Sequence, residues 1–420
     1  MSSLKQLQEE LVEKDLIAEI DVEAITPIRI GGYKATPYSS GLKLPTKPSA
    51  KSLKGVWRWW ARAAIVGAYG GSIDYRKANE HLNKVFGGVN EGTSLFRLEV
   101  SDMKYAQTQR REESYEKIPR VKLLLMREER KKEEMGEERK KEEMKALDTE
   151  GMTFKILLYK NRDLGEKPKE KVYFALSTLL LSLILGGIGS ITRRGFGSLK
   201  INGFNFDHEG IDQEIEKIRN HLVSNNLNEA TLKEDLLRLC KVAVDYAKDL
   251  FGEGKQTVGI PKVPSLGKIM IEVIECSSCD LVKIGRAFLK GSWKRTPTAR
   301  HTWILGLPRC KMKGGKVESG YAVQKGGKYD PSRRISSIGA RCFRAGNRNF
   351  IIVFGMLSGD WPSPNDLFHI GTRGVTSVSQ ISGRNLQNVF NEAWNKVAAI
   401  LRGECRGDDG RDRHMHRRAK

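Results

Sequence analysis

Apolar and polar positions along the first half of the chain change period several times. Residues 16–30 are rich in β-branched and apolar residues and, although broken by Pro27, predict a strand that Gly31-Gly32 closes. Residues 94–100 and 196–201 alternate, and 153–159 is again strand-like. Between the first two lies a helical pattern over 53–65, with Trp57, Trp60, Ala61 and Ala64 at core spacing. Lys54, Arg58 and Arg62 recur every four residues there and form a basic stripe on another face. Residues 172–185 are almost wholly apolar, as expected of a helix covered on every side. Strand, helix, strand, strand, helix, strand is the ferredoxin-like order, shared with RNA-recognition modules.

The second half follows with residues 211–251, read as two helices, and 258–267, a proline-containing linker. Residues 268–274 open a second strand-led unit, 335–343 and 349–356 form a hairpin around Ala345-Gly-Asn347, and 386–401 is an amphipathic helix. Leu53-Lys-Gly-Val-Trp-Arg58 is echoed by Leu289-Lys-Gly-Ser-Trp-Lys294 after the first strand of the second unit, which suggests two copies of one module. No fourth strand can be placed in that unit. The expected fold class is α+β: tandem ferredoxin-like (RRM-like) βαββαβ domains with a helical insertion and a helical connector. The boundaries are 1–205 with an insertion at 103–150, a connector at 206–257, a second domain at 258–401 and a disordered tail at 402–420. The insertion holds a nine-residue repeat starting at Met126 and Met135, in which Glu128/Lys132 and Glu137/Lys141 pair at helical spacing. Successive methionines then face opposite sides of a helix, so the repeat reads as a solvated helix, not a coiled-coil seam.

Charge adds a partner class. The 420 residues carry 73 Lys+Arg against 51 Asp+Glu, a net +22, which points to nucleic acid or another polyanion. The excess is concentrated. Residues 24–73 hold eight basic and no acidic residues, and residues 281–317 hold ten and none. Residues 319–359 hold seven basic residues against Asp330 alone, and 186–206 hold three with no acid. Long single-sign stretches around glycines and aromatics are the footprint of a phosphate track, on which single-stranded bases could also stack.

The glycine-rich run Gly187-Ile-Gly-Ser-Ile-Thr-Arg-Arg-Gly-Phe-Gly197 joins the apolar helix to the last strand of the first unit. Its amides could form an anion nest, and Arg193 and Arg194 add donors matched to phosphate oxygens. A nucleotide-cofactor loop would need the reverse order, strand then helix, and no Gly-Lys-Ser/Thr is present, so no cofactor is expected.

Other chemistry is poorly supplied. Of the six cysteines, only Cys276-Ser-Ser-Cys279 has metal spacing, with His301 and Cys310 the nearest further candidates, so reduced thiols without metal are expected. Residues 172–188 fall short of a membrane span and contain Ser177, Thr178 and Ser182. An anionic-membrane protein would need that helix to face lipid. Metal-free RNA cleavage needs a general base, usually histidine, and residues 24–73 contain neither His nor Asp. His81 is the first histidine and reads as structural. No catalytic residue, metal or small-molecule substrate is assigned.

The run Thr26-Pro-Ile-Arg-Ile-Gly31, the stretch Ser52 to Arg62, the loop Gly187 to Gly197 and the ferredoxin-like order together resemble the RAMP superfamily of CRISPR-associated proteins. The resemblance is to the family of first subunits of the Cmr (type III-B) effector complex. It implies a cytoplasmic, non-catalytic RNA-binding subunit that holds the crRNA 3′ region, assists target-RNA capture and contacts other RAMP subunits. The RNA-binding residues it carries over are Lys54, Arg58, Arg62, Gly189, Arg193, Arg194, Gly195 and Gly197. Lys290, Lys294 and Arg295 follow through the internal echo, and Arg333, Arg334 and Arg341 through charge. A metal-independent RNA-processing endonuclease of the same superfamily is the alternative.

Overall fold

The computed structural model describes residues 15–28, 48–104, 150–189, 192–206, 212–224, 226–288, 303–306, 311–313, 316–325, 328–331, 336–362, 365–371, 374–379 and 385–406. The nine-residue repeat, the echo at Leu289, the tail beyond 406, and Lys290, Lys294, Arg295, Arg333 and Arg334 lie outside the described residues.

The first unit has the expected order. Strand β1 (Leu16–Ala24) leads to helices α1 (Ala50–Ala68) and α2 (Tyr75–Phe86), then β2 (Phe96–Lys104), β3 (Thr153–Lys160), α3 (Pro168–Leu181) and β4 (Leu199–Phe206). The sheet order is β2-β3-β1-β4, with every pairing antiparallel, which is the ferredoxin-like arrangement. Ala18, Ile20, Val22 and Ala24 of β1 face the helices, together with Phe154, Ile156 and Leu158 of β3. Helix α3 is buried along its apolar length and continues as a π turn, Ser182–Gly186, into the glycine loop. It packs against the sheet and α1, so it does not face lipid. No helix among the described residues is long and apolar enough to cross a membrane.

Helix α2 is absent from the reading of the sequence. Its apolar positions Ala78, Leu82, Val85 and Phe86 keep helical spacing, but its mean character is polar, so no apolar run draws attention to it. Asp74 caps it, accepting a hydrogen bond from Lys77 N.

The connector forms α4 (Gln213–Leu222) and α5 (Glu229–Phe251), and the second unit begins with β5 (Met270–Cys276) and α6 (Leu281–Ala287). The strands β6 (Lys311–Lys313), β7 (Lys316–Lys325) and β8 (Lys328–Pro331) follow, then the hairpin β9 (Ile338–Ala345) and β10 (Arg348–Gly355). Strands β11 (Leu367–Gly371) and β12 (Gly374–Ser377) precede α7 (Leu386–Arg406). The sheet β5-β10-β9 reproduces three of the four ferredoxin-like positions, and no described strand fills the fourth. A separate sheet, β12-β11-β7-β6 with β8 beside β7, is built from two insertions that meet through β7 and β11.

The two halves share buried structure. Phe350, Ile352 and Phe354 of β10 join the core of the first unit and α5, while Ile351 and Val353 face α6 and α7. A strand covered on both faces reads as a continuous apolar run, which accounts for Phe350-Ile-Ile-Val-Phe354. Val263 and Leu266 of the expected linker are likewise in the core.

Cys276 and Cys405 are joined by a disulfide between β5 and α7, with Cα atoms 4.8 Å apart, so the expectation of reduced thiols fails for this pair. Cys279 lies instead against the carbonyls of Phe343 and Phe350. The Cys-x-x-Cys spacing therefore does not converge on one point, and no cluster of three potential metal ligands occurs among the described residues.

Candidate functional site

The glycine loop is wedged between the two units. Gly187, Gly189, Gly195 and Gly197 have φ of 72°, 95°, 87° and 61°, all in the left-handed region that favours glycine. Its amides are largely used inside the protein. Gly187 N donates to Ser182 O, Ile188 N to Gly197 O, Gly195 N to Thr192 O and Gly197 N to Pro27 O. Thr26 Oγ1 donates to Gly195 O at 2.6 Å and accepts from Ser198 N at 2.8 Å, tying β1 to the loop. An anion nest at Gly195 and Gly197 is therefore not formed, while Gly189 is exposed.

The arginines behave differently from expectation. Arg341, on β9, is 0% exposed. Its Nη1 donates to Thr192 O and Phe196 O, and its Nη2 donates to Gly197 O at 2.6 Å. Burial pulls its pKa down to about 9, with the nearby Cys342 opposing, and it stays protonated at neutral pH. Arg194 is 8% exposed, donates to Ile338 O and Leu305 O, and stacks on Phe288 with its guanidinium carbon 3.7 Å from the ring centroid. Both guanidiniums are buried and spend these donors on carbonyls of the protein, clamping the two units where the sequence suggests phosphate ligands. Ala340 N donates to Arg193 O at 3.1 Å, adding the loop to the edge of β9.

Arg193 is half-buried. It donates to Ser336 O at 2.6 Å and lies 4.9 Å from the Trp59 ring centroid. This contact carries the loop onto α1. All four basic stretches thus meet at the glycine loop, which touches α1 at Trp59, the 281–317 stretch at Phe288 and Leu305, and β9 at Ala340.

On α1, Trp57 and Trp60 are core residues, 0% and 2% exposed. The Trp57 indole donates to Thr178 Oγ1 at 2.9 Å and to Ala175 O at 3.1 Å. Lys54, Arg58 and Arg62 are side by side and half-buried, as their spacing requires. Arg58 is aimed by α2: its Nη1 donates to Phe86 O and Gly87 O, each at 2.9 Å, and its Nη2 to Asn83 Oδ1 at 2.7 Å. Arg62 Nε donates to Asn79 Oδ1 at 2.7 Å. Sequence reasoning misses Asn79 and Asn83 because it misses α2; a four-residue spacing of amides beside a four-residue spacing of arginines is the signal. Lys54 has no hydrogen bond or ion pair with a described residue. Burial and the Arg58 charge both pull its pKa down, which marks two adjacent cations with no anion between them among the described residues.

The outward face of the first sheet is unlike that of an RNA-recognition module. Glu19, Asp21 and Glu23 line central strand β1, and Glu99 lies on β2. Lys155 binds Glu19 at 2.7 Å, and Arg97 binds Glu99 at 3.2 Å. Carboxylates stand where aromatic stacking residues would be needed.

His81 packs within the first unit. Tyr69 Oη donates to Phe251 O, so His81 Nε2 supplies the proton of the 3.0 Å contact with Tyr69 Oη. Its Nδ1 is buried without a partner, and burial holds its pKa down. It is a structural histidine, packed against the rings of Tyr69 and Phe251.

Comparison with known proteins bears on this geometry. The RAMP superfamily pattern matches residues 21–200. The chain is 31% identical over 198 residues to the CRISPR system Cmr subunit Cmr1-2 of Pyrococcus furiosus, covering 44% of this chain and 94% of that relative. It is 40% identical over 75 residues to the CMR subunit Cmr1 of Saccharolobus solfataricus, covering 17% of this chain and 16% of that one. Among solved structures, apo Cmr1 of Pyrococcus furiosus superposes with a TM-score of 0.51 at 18% identity, covering 90% of this chain and 96% of that chain. A chain of the Type III-B Cmr-beta complex bound to cognate target RNA and AMPPnP superposes with a TM-score of 0.55 at 17% identity, covering 91% of this chain and 100% of that chain.

Proposed function

The chain belongs to the Cmr1 family of the RAMP superfamily, and we propose on this basis that it is a non-catalytic RNA-binding subunit of a type III-B CRISPR ribonucleoprotein. It holds the crRNA 3′ region, assists target-RNA capture and contacts other RAMP subunits. The observation that carries the reading is the basic face of α1. Lys54 and Arg58 adjoin with no described carboxylate between them, beside a loop fixed from both units. A strand of phosphates supplies the missing counter-charge, whereas the acidic outer sheet face repels it. Gly189 is the one loop glycine of the predicted set that is open to such a strand.

The endonuclease alternative finds little support near this face. His81 presents no accessible base, and His221 is paired with Asp235 at 3.0 Å. Single-stranded RNA incubated with the protein is expected to be recovered intact.

Lys54→Glu provides the first prediction. It should weaken binding of single-stranded RNA about ten-fold across sequences. It should also flatten the salt dependence by about 0.7 in log–log slope for each phosphate no longer neutralised. Fluorescence anisotropy at several salt concentrations reads both. An unchanged slope would remove α1 from the interface.

A further inference from the structure

Four of the six cysteines gather in or against the core of the second unit. Cys276 and Cys405 form the disulfide, while Cys279 and Cys342 are free thiols. Cys342 faces that core from β9 and is 1% exposed. Cys279 stands just before α6 and is partly exposed. Its Sγ lies 3.7 Å from Phe343 O and 3.9 Å from Phe350 O, on the hairpin pair next to Cys342. It also accepts a hydrogen bond from the Cys342 thiol. Two sulfurs in such contact need little backbone movement to be bridged.

The two thiols are unlike. The hydrogen bond from Cys342 and the Arg344 charge hold the Cys279 pKa below the ordinary thiol value, against burial. The same hydrogen bond and burial push that of Cys342 well up. The thiolate is the nucleophile in thiol oxidation, so Cys279 is the attacking sulfur and Cys342 keeps its proton. Cys240 is the internal contrast: it is 2% exposed, and burial pushes its thiol up to about 12.

We propose that Cys279 is a thiol modified by hydroperoxides and that Cys342 resolves it, closing a second disulfide in this unit. The Cys279 thiolate attacks one peroxide oxygen; an S–O bond forms and the O–O bond breaks. Sulfur is oxidised to sulfenic acid and the peroxide is reduced, leaving as water or an alcohol after protonation. Cys342 Sγ then attacks the Cys279 sulfur. The S–S bond forms, the S–O bond breaks, and the Cys342 proton leaves with the hydroxyl as water. The bridge ties the start of α6 to β9, one residue from Arg341. Cys342 N donates to Ser198 Oγ at 3.0 Å and Ser198 Oγ to Gly195 O at 2.7 Å, so the same bridge braces the glycine loop. None of this depends on RNA binding.

The test treats the full chain with hydrogen peroxide, unfolds it in N-ethylmaleimide and maps its unreduced peptides by mass spectrometry. A peptide pair joined through Cys279 and Cys342 is expected, with Cys240 alkylated. Oxidation in place should raise the Tm by about 3–8 °C, because the bridge closes a long loop. Cys342→Ala should instead accumulate a dimedone adduct on Cys279, whereas Cys279→Ala should leave Cys342 unlabelled. Wild-type protein with both thiols still alkylated after peroxide would overturn the proposal, whether or not the variants fold. A Cys276–Cys279 link would overturn it too, as exchange with the existing disulfide. A lowered Tm on bridging would show that the pair is not poised to close.

Discussion

Arg341→Leu is expected to lower stability by about 3 kcal/mol and to release the glycine loop from the second unit. The substitution removes the donor of Phe196 O and leaves Thr192 O and Gly197 O with only the backbone amides of Gly195 and Ile188. A buried carbonyl left unsatisfied costs about 1–3 kcal/mol, and each lost hydrogen bond from a charged group about 1.5–3 kcal/mol. Against this, the variant no longer buries a cation, a desolvation cost of several kcal/mol that partly offsets the loss. Arg341→Lys is expected to rescue little, since one compact ammonium cannot replace two Nη nitrogens spread over three acceptors. Thermal unfolding checks the stability change. Limited trypsin digestion checks the release, because cleavage after Arg193 or Arg194 requires the loop to leave its seat. An unchanged Tm with both arginines still protected would show that Arg341 is not what holds the loop.

Gly197→Ala should be at least as damaging, by about 3 kcal/mol or more, for a steric reason. Gly197 has φ +61°, and a Cβ would stand 1.8 Å from Ile188 O. That same residue donates its amide to Pro27 O and accepts from Ile188 N, so moving it opens both ends of the loop. On the reading proposed here, RNA affinity falls with it, through lost support for Arg193 beneath Trp59. Thermal unfolding and RNA anisotropy on one preparation check this. A variant with native Tm would mean that the loop accommodates the methyl group by a shift the structure does not foretell.

The first unit is legible in the chain because it has one buried sheet face and one solvated face. Alternation in β1 and β3 and the apolar run of α3 report burial directly. Spacing alone assigns Trp57 and Trp60 to the core, and Trp59 falls between them off that phase. The glycine loop stands out by its composition, but its chemistry is easily misread. Arginines beside glycines suggest phosphate, yet here carbonyl oxygens of the same loop take the guanidinium donors of Arg341. Nothing local in Ala340-Arg-Cys342 announces a partner some 145 residues away in sequence, as for Phe196. The junction of the units is hidden for the same reason. A linker rich in proline looks solvated, but Val263 and Leu266 are covered by elements remote in the chain. The disulfide likewise joins cysteines 129 residues apart, while the short spacing that draws attention is structurally divided.

The account stands on RNA lying along α1 and not across the sheet. Ultraviolet crosslinking of bound single-stranded RNA, read by mass spectrometry of the digested protein, tests this most directly. Crosslinked nucleotides are expected on the peptides covering Lys51 to Arg62, with Trp59 the foremost acceptor. Crosslinks confined to β1 and β3, at the carboxylate-bearing face around Glu19 and Asp21, would contradict it.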